Sequence, residues 1–197
     1  MTVAERIRET LKTQKEGAVI SAETLKRLGS REAVDQALSR LAKTGETIRI
    51  ARGLYVVPVR GKFGTYPPSP EKVVRSYARA KGKPVVPNGA VAANRLGLST
   101  QQPIRQVYLT SGQPAKIKLG STPVEVRQVP EWQVLLPNQL AGDAVRALAY
   151  MGRANAKEAA VKLRQRLGSK EWAKLKRIRS KFPMWVKEAV LEAEHLV

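Results

Sequence analysis

The chain of 197 residues lacks cysteine and has a single histidine, His195. The absence of cysteine excludes disulfides, thiolate catalysis and zinc or iron–sulfur sites built on cysteine. With one histidine, neither a histidine-based metal site nor a catalytic triad is expected. We therefore predict that the protein uses no metal and no cofactor.

Long apolar runs are also missing. No stretch approaches the roughly 20 apolar residues that span a bilayer, and the first residues, MTVAERIRET, predict a charged amphipathic helix without the apolar region of a signal peptide. These features predict a cytoplasmic protein with no membrane partner.

Motifs of catalysis are absent as well. The chain has no P-loop, no G-x-S-x-G and no H-E-x-x-H. Acidic residues such as Glu125, Glu131 and Asp143 do not pair at helical spacing or in a D-x-D pattern. The sequence therefore argues against an enzyme that acts on nucleic acid.

Negative charge is scarce, because 36 basic residues face 16 acidic ones and the net charge is +20. The excess falls in both halves, with 13 basic and 7 acidic residues in 1–68, and 23 and 9 in 69–197. Solubility does not require so large an excess, so it favours a polyanionic partner, first of all nucleic acid.

Residues 30–58 predict a helix followed by a β-hairpin. Ser30 suits an N-cap, and the helix ends at Gly45. Two strands, Thr47–Ile50 and Leu54–Val57, then flank a turn in which Gly53 adopts positive φ. The apolar residues at helical spacing are Ala33, Val34, Ala37, Leu38 and Leu41.

Upstream of this stretch, Thr2 and Glu5 form a capping box for a first helix. Ala18–Ile20 predicts a strand that joins the hairpin, and Ser21 caps a second helix closed by a left-handed Gly29. Helix, strand, helix, turn, helix and hairpin is the order of a winged helix.

The exposed face of the helix after Ser30, with the hairpin, carries the predicted DNA contacts. Base edges would be read by Gln36, Ser39 and Arg40. Phosphates would be contacted by Arg31 and Lys43, and the groove beside the hairpin by Arg49 and Arg52. The alternative is that these arginines only solubilise a small helical domain.

The rest of the chain predicts a second, α+β domain. Glycines and prolines break any regular element in 59–68, which we take as a linker between domains 1–58 and 69–197. A helix begins at Ser69-Pro70-Glu71, a short one at Asn88, and a three-stranded antiparallel meander spans 105–129. A helical tail follows, with caps at Asn138, Asn155, Ser169 and Pro183. The predicted fold class is thus α+β and mostly helical: an N-terminal winged helix-turn-helix domain and a C-terminal α+β domain with a small antiparallel sheet.

The tail is strongly basic. A predicted helix over Ser169–Phe182 places Lys170, Lys174, Arg177 and Lys181 on one stripe, and the preceding helix adds Lys162 and Arg166. Like charges at this spacing destabilise a helix unless a counter-charge arrives, such as a phosphate backbone or an acidic protein surface. The alternative is that lysine and arginine serve as good helix formers on a solvated face.

The order of these parts resembles a known family, the AbiEi-type antitoxins of bacterial abortive-infection (type IV) toxin-antitoxin systems. The likeness spans nearly the whole chain. It is carried by Arg52-Gly53-Leu54-Tyr55, Phe63-Gly64 with its prolines, Asn88-Gly89-Ala90 to Leu96-Gly97-Leu98, Leu109-Thr110-Ser111-Gly112 and the basic helical tail.

The resemblance implies a phage-defence antitoxin that represses its own operon. Its winged helix would bind operator DNA, with Arg31, Gln36, Arg40, Arg49 and Arg52 as contacts. Its C-terminal domain would counter a nucleotidyltransferase-like toxin, with or without direct contact. The protein would be a monomer or weak homodimer. A stand-alone winged-helix regulator or an RNA-binding protein without a toxin is the other possibility.

Overall fold

The computed structural model describes residues 1–196, and within them the chain is α+β, with seven α-helices and short antiparallel strands. The predicted fold class is therefore confirmed at this level. The chain forms two compact units: Met1–Lys83 with Ala115–Val126, and Pro84–Pro114 with the residues from Arg127 onward. That residues 1–58 fold independently of a linker over 59–68 stays a prediction.

Helices α1 (Val3–Thr13) and α2 (Arg31–Lys43) enclose the core of the first unit. Their starts follow from the sequence: Thr2 and Glu5 form the predicted capping box, and the Ser30 hydroxyl accepts a bond from Ala33 N. The inner faces bury Ile7 and Leu11 of α1 and the apolar stripe of α2.

The predicted second helix is wrong as a regular helix. Residues 22–28 form turns that end in a short 3-10 segment, Lys26–Leu28, and Gly29 is extended (φ 165°) and not left-handed. Reciprocal bonds between Ser21 and Thr24 satisfy backbone groups locally and compete with helix extension. Gly29 lies so close to Val3 that a Cβ there would be 3.0 Å from Val3 Cγ2.

A three-stranded antiparallel sheet packs against these helices, with strand order β1-β3-β2. The strands are β1 (Val19–Ile20), β2 (Ile48–Ala51) and β3 (Leu54–Val56). The predicted hairpin and the added strand are both confirmed. Gly53 has the positive φ expected of it, 67°, and the β2–β3 register shifts between Arg49 and Ala51.

The expectation that residues 59–68 contain no regular element is wrong. Strands β4 (Val59–Gly61) and β5 (Gly64–Tyr66) pair into a second hairpin around Lys62 and Phe63. Glycine here serves the turn, because Gly64 takes φ 115°, and the prolines fall only after β5.

Helix α3 (Pro70–Lys81) begins where predicted and buries Val73, Val74 and Tyr77. The hydroxyl of Ser76 accepts a bond from Val19 N, which joins α3 to β1. A third hairpin completes the unit: β8 (Ala115–Leu119) packs beside β2 and pairs with β9 (Thr122–Gln128).

The second unit packs helices around α5 (Leu140–Arg166). Helix α4 (Gly89–Arg95) starts at the predicted Asn88 cap, and α6 (Ser169–Arg177) and α7 (Met184–His195) follow α5. Strand β7 (Gln106–Thr110) is one of the three predicted for 105–129, but it pairs with β6 (Val85–Pro87), a strand that was not predicted.

Three of the four predicted caps in the tail are misplaced. Gln139 and Gly168 occupy the N-cap positions in place of Asn138 and Ser169, while Pro183 caps α7 as predicted. Asn155 lies inside α5, whose backbone breaks three residues earlier at Gly152 (φ 75°). The predicted helix to Phe182 ends at Arg177 and continues as a 3-10 turn. No helix in the described part of the chain is long and apolar enough to cross a membrane.

Candidate nucleic-acid interface

The exposed face of α2 holds two rows of polar side chains. Glu32, Gln36 and Arg40 stand at i, i+4 and i+8, and Asp35, Ser39 and Lys43 form a parallel row. Each row changes from a carboxylate through a neutral group to a cation, which complements the helix macrodipole. The cationic part of α2 is therefore its C-terminal half.

Arg31 is not brought together with the other predicted contacts on α2. It is exposed beside the Ser30 cap, nine residues from Arg40, which corresponds to about 14 Å along the helix axis. Ser39 is half-buried, whereas Gln36, Arg40 and Lys43 are exposed.

The end of α2 is fixed to the start of the β2–β3 hairpin. The carbonyl of Leu41 accepts bonds from both Glu46 N (2.9 Å) and Thr47 N (3.2 Å), so β2 begins one tight turn after Lys43. This short connection places the strand that carries Arg49 directly after the cationic end of the helix.

Arg49 lies on the helix side of the sheet. It pairs with Tyr55, which also pairs with Ile20, and residues opposed in an antiparallel ladder point to the same face. Tyr55 and Ile20 are buried in the core formed with α1 and α2. Because β2 is an edge strand, Arg49 reaches solvent on that face while its neighbours stay covered. Arg52 is exposed at the hairpin tip.

The turn between α2 and β2 contains a compensated charge. Arg8 of α1 donates to Glu46 through Nε (2.8 Å) and Nη2 (3.1 Å). The hydrogen bond from Arg8 lowers the pKa of Glu46 most, and the nearby charge of Arg60 lowers that pKa further. Arg60 at the base of the β4–β5 hairpin is therefore close to the end of α2.

The five predicted cations of this unit have no compensating partner. Within residues 1–196, no side-chain hydrogen bond or ion pair involves Arg31, Arg40, Lys43, Arg49 or Arg52. Other cations of the same unit do pair with carboxylates, as in Arg8–Glu46, Lys12–Glu9, Lys72–Glu16 and Arg75–Glu71.

Sequence reasoning missed several charges of this surface. It passed over Glu32 and Asp35 on α2, and it did not include the exposed Arg60 and Lys62 of the second hairpin. A signal was present, because residues 47–70 contain four basic residues and no acidic one. Lys116 and Lys118 of β8 also belong to the first unit, which carries 20 basic and 9 acidic residues.

The structure divides the six predicted cations of the second unit into two groups. Lys162 pairs with Glu158 (2.6 Å), Lys174 pairs with Glu171 (2.5 Å), and Arg166 Nη1 donates to the carbonyl of Leu96 at the end of α4 (2.6 Å). In the described residues, Lys170, Arg177 and Lys181 have no such partner. The predicted single stripe is therefore partly neutralised.

A buried ion pair lies elsewhere in this unit. Arg146 donates from Nη2 to Asp143 Oδ1 (2.6 Å), and Arg95 reaches the other oxygen of Asp143 (2.8 Å). The side chains of Arg146 and Asp143 are buried, and burial lowers the pKa of the Arg146 guanidinium. Asp143 is thus engaged by two cations of its own unit.

A groove in the first unit runs between the end of α1, β1 and α3. Its lining includes Lys15, Lys72, Ser76 and Arg79, and none of the predicted DNA-binding residues. Among the residues that the structure describes, no three histidine, aspartate or glutamate side chains are grouped so that they could hold a metal ion.

Comparison with known proteins places most of this architecture in one family. Residues 6–175 match a family model described as a family of unknown function, DUF6088. The chain belongs to the DUF6088 family. The range matched to DUF6088 includes α2, the three hairpins and most of α6. No curated protein and no solved structure matches the chain.

Proposed function

We propose that this DUF6088 protein is a winged-helix protein that binds duplex DNA, with α2 as the recognition helix and the β2–β3 hairpin as the wing. The element order α1, β1, turn, α2, β2, β3 and the sheet order β1-β3-β2 support this proposal. In such a protein the recognition helix enters the major groove and the wing lies on adjacent phosphates.

The observation that carries the proposal is the set of unpaired cations at the end of α2 and on the hairpin. Arg40, Lys43, Arg49 and Arg52 are exposed, and no carboxylate of the described residues neutralises them. Uncompensated cations that converge on one side are what a phosphate backbone requires, because each contact releases a condensed counterion.

The charge gradient along α2 suggests how the helix would lie on DNA. Its cationic C-terminal half, with Gln36, would face the groove, and Arg40 would donate to a guanine edge. Arg49 and Arg52 would follow the neighbouring phosphates. Glu32 and Asp35 would be kept away from the phosphates at the opposite end of the helix.

The test is binding of the full-length protein to a labelled duplex from the region upstream of its own gene, measured by anisotropy over a salt series. Arg40→Ala should weaken binding about 5- to 150-fold, the range for a lost base contact of about 1 to 3 kcal/mol. Arg49→Ala should instead weaken all duplexes alike and reduce the log–log salt slope by about 0.9.

Arg153→Ala is the matched control, since Arg153 is an exposed arginine in the second unit that has no partner among the described residues. It should bind like the wild type. A wild-type protein that binds no duplex, or an Arg40→Ala variant that titrates unchanged, would overturn the assignment.

We further propose that the DNA-binding protein is a cytoplasmic antitoxin and autorepressor, in line with the resemblance to AbiEi-type antitoxins. The second unit would then counter a nucleotidyltransferase-like toxin, and its free cations Lys170, Arg177 and Lys181 are the surface that supports such a contact. Co-expression with the adjacent gene should rescue growth if that gene encodes the toxin. Without rescue, the protein is a stand-alone regulator.

A further inference from the structure

The β4–β5 hairpin projects an aromatic side chain that nothing in its own fold covers. Phe63 is fully exposed at the tip, and every residue from Arg60 to Pro67 is exposed. A two-stranded hairpin of this length is marginally stable alone in water. Its tip therefore gains nothing from the core of the unit.

The faces of the hairpin are distinct. The pairs Val59–Tyr66 and Gly61–Gly64 share one face, and Arg60–Thr65 lies on the other. The Tyr66 ring lies across Gly61, where a Cβ would be 2.9 Å from Tyr66 Cε1. Lys62 and Phe63 form the two-residue loop, so a cation and an aromatic ring lead the hairpin together.

The base of this hairpin lies beside the proposed DNA-binding surface. Arg60 is near Glu46, in the turn directly after α2, and its charge acts on that carboxylate. Each strand has three residues, so the tip projects about 10 Å, against a minor-groove depth of about 7.5 Å. The segment 47–70 has no acidic residue to repel a phosphate backbone.

We propose that the β4–β5 hairpin inserts Phe63 as a wedge between base pairs of the duplex bound by α2 and the β2–β3 hairpin. Apolar side chains inserted from the minor groove unstack a base step and kink the duplex. Arg60 and Lys62 neutralise the flanking phosphates while the ring of Phe63 stacks on a base. This inference rests on the proposed duplex binding and adds a DNA-bending contact to it.

The experiment moves a single T·T mismatch step by step along the upstream duplex and measures the affinity of the full-length protein for each position. A wedge favours the position where unstacking is already paid, so one position, or two in a palindrome, should bind more tightly than the intact duplex. Phe63→Ala should lose at least about fivefold of that preference, the lower end of base–aromatic stacking. 2-Aminopurine beside that position should brighten with wild type and stay dim with Phe63→Ala.

Two variants serve as controls. Phe63→Leu should keep most of the preference, because leucine also acts as a wedge. Ile104→Ala removes an equally exposed apolar side chain from the second unit and should match the wild type. Because Phe63 is fully exposed, the unfolding transitions of these variants should overlay.

The outcomes separate this inference from the proposed function. If wild type binds the duplex and Arg40→Ala weakens it, but Phe63→Ala behaves like wild type at every mismatch position, the wedge is overturned and duplex binding stands. If no duplex is bound at all, the proposed function fails and the wedge fails with it. If Phe63→Ala changes the sedimentation of the free protein, the hairpin is a contact between copies and the wedge is overturned.

Discussion

The guanidinium of Arg8 and the carboxylate of Glu46 share two hydrogen bonds although 38 residues separate them. The pair joins α1 to the turn between α2 and β2, and the hydroxyl of Thr44 adds a third bond to Glu46 (2.9 Å). The carboxylate next to the cationic end of α2 is thereby neutralised from within the protein.

This ion pair predicts a pH-dependent contribution to stability. Glu46→Gln should cost about 0.5 to 1 kcal/mol at neutral pH, the upper part of the range for a partly exposed pair. Because the bond from Arg8 lowers the pKa of Glu46 from 4.5 in the folded state, the contribution is complete above about pH 4.5 and is lost as pH falls through the folded value. Urea unfolding of both proteins from pH 7 to pH 3 should show curves that converge in acid.

The control is Glu9→Gln, which removes the more exposed pair with Lys12. It should change stability less at every pH. A gap between wild type and Glu46→Gln that persists at pH 3 would rule out the ion pair as its cause.

The buried pair of Arg146 and Asp143 predicts a much larger effect on stability. Asp143→Asn leaves the Arg146 guanidinium buried without a counter-charge, and its Nε and Nη1 already lack partners. The expected cost is about 3 to 5 kcal/mol. Arg95→Ala, which removes the half-exposed partner of the same carboxylate, should cost less than about 1 kcal/mol. Equal costs in chemical unfolding would contradict this difference in burial.

The two groups of cations in the second unit predict different salt dependences. If this unit contacts nucleic acid, the double variant Lys170→Ala, Arg177→Ala should reduce the log–log salt slope by up to about 1.8, two phosphate contacts of about 0.9 each. The double variant Lys162→Ala, Lys174→Ala removes the same charge, but both lysines are held by Glu158 and Glu171. Its slope should stay that of the wild type, and an equal loss would show that only net charge matters.

The carboxylate row of α2 predicts a gain of affinity. Glu32→Gln removes a negative charge that stands one row position before Gln36 and two before Arg40. Duplex binding should tighten about two- to fivefold at low salt and less at high salt, because the repulsion is screened. Anisotropy at two salt concentrations measures this, with Glu188→Gln on α7 as control. Weaker binding would mean that Glu32 itself accepts a bond from a base such as cytosine.

Several parts of the fold could be predicted because they depend on neighbours in sequence. The caps at Thr2, Ser30 and Asn88 and the positive φ of Gly53 each require only a few adjacent residues. The exposure of Gln36, Arg40 and Lys43 follows equally from helical spacing, because the apolar stripe of α2 fixes which side is buried.

The misjudged elements are those in which the same residues permit two local structures. Gly61 and Gly64 suit a linker as well as a tight hairpin, and their pairing decides between the two. Val85–Pro87 is too short to show a period, and it is a strand because β7 offers hydrogen bonds. Ser21 and Thr24 can cap a helix or bond to each other, and close packing of Val3 on Gly29 favours the turn.

By itself the sequence determined the α+β class, the cationic character and the inward and outward faces of the helices, since periodicity and charge act over a few residues. Only the tertiary structure decided which cations remain available. It joins Arg8 to Glu46 and Arg166 to the carbonyl of Leu96, across 38 and 70 residues, and leaves Arg40, Arg49 and Lys170 unpaired. The physical reason is that a charge is neutralised by whatever the folded chain brings within hydrogen-bond distance, which spacing along the sequence does not reveal.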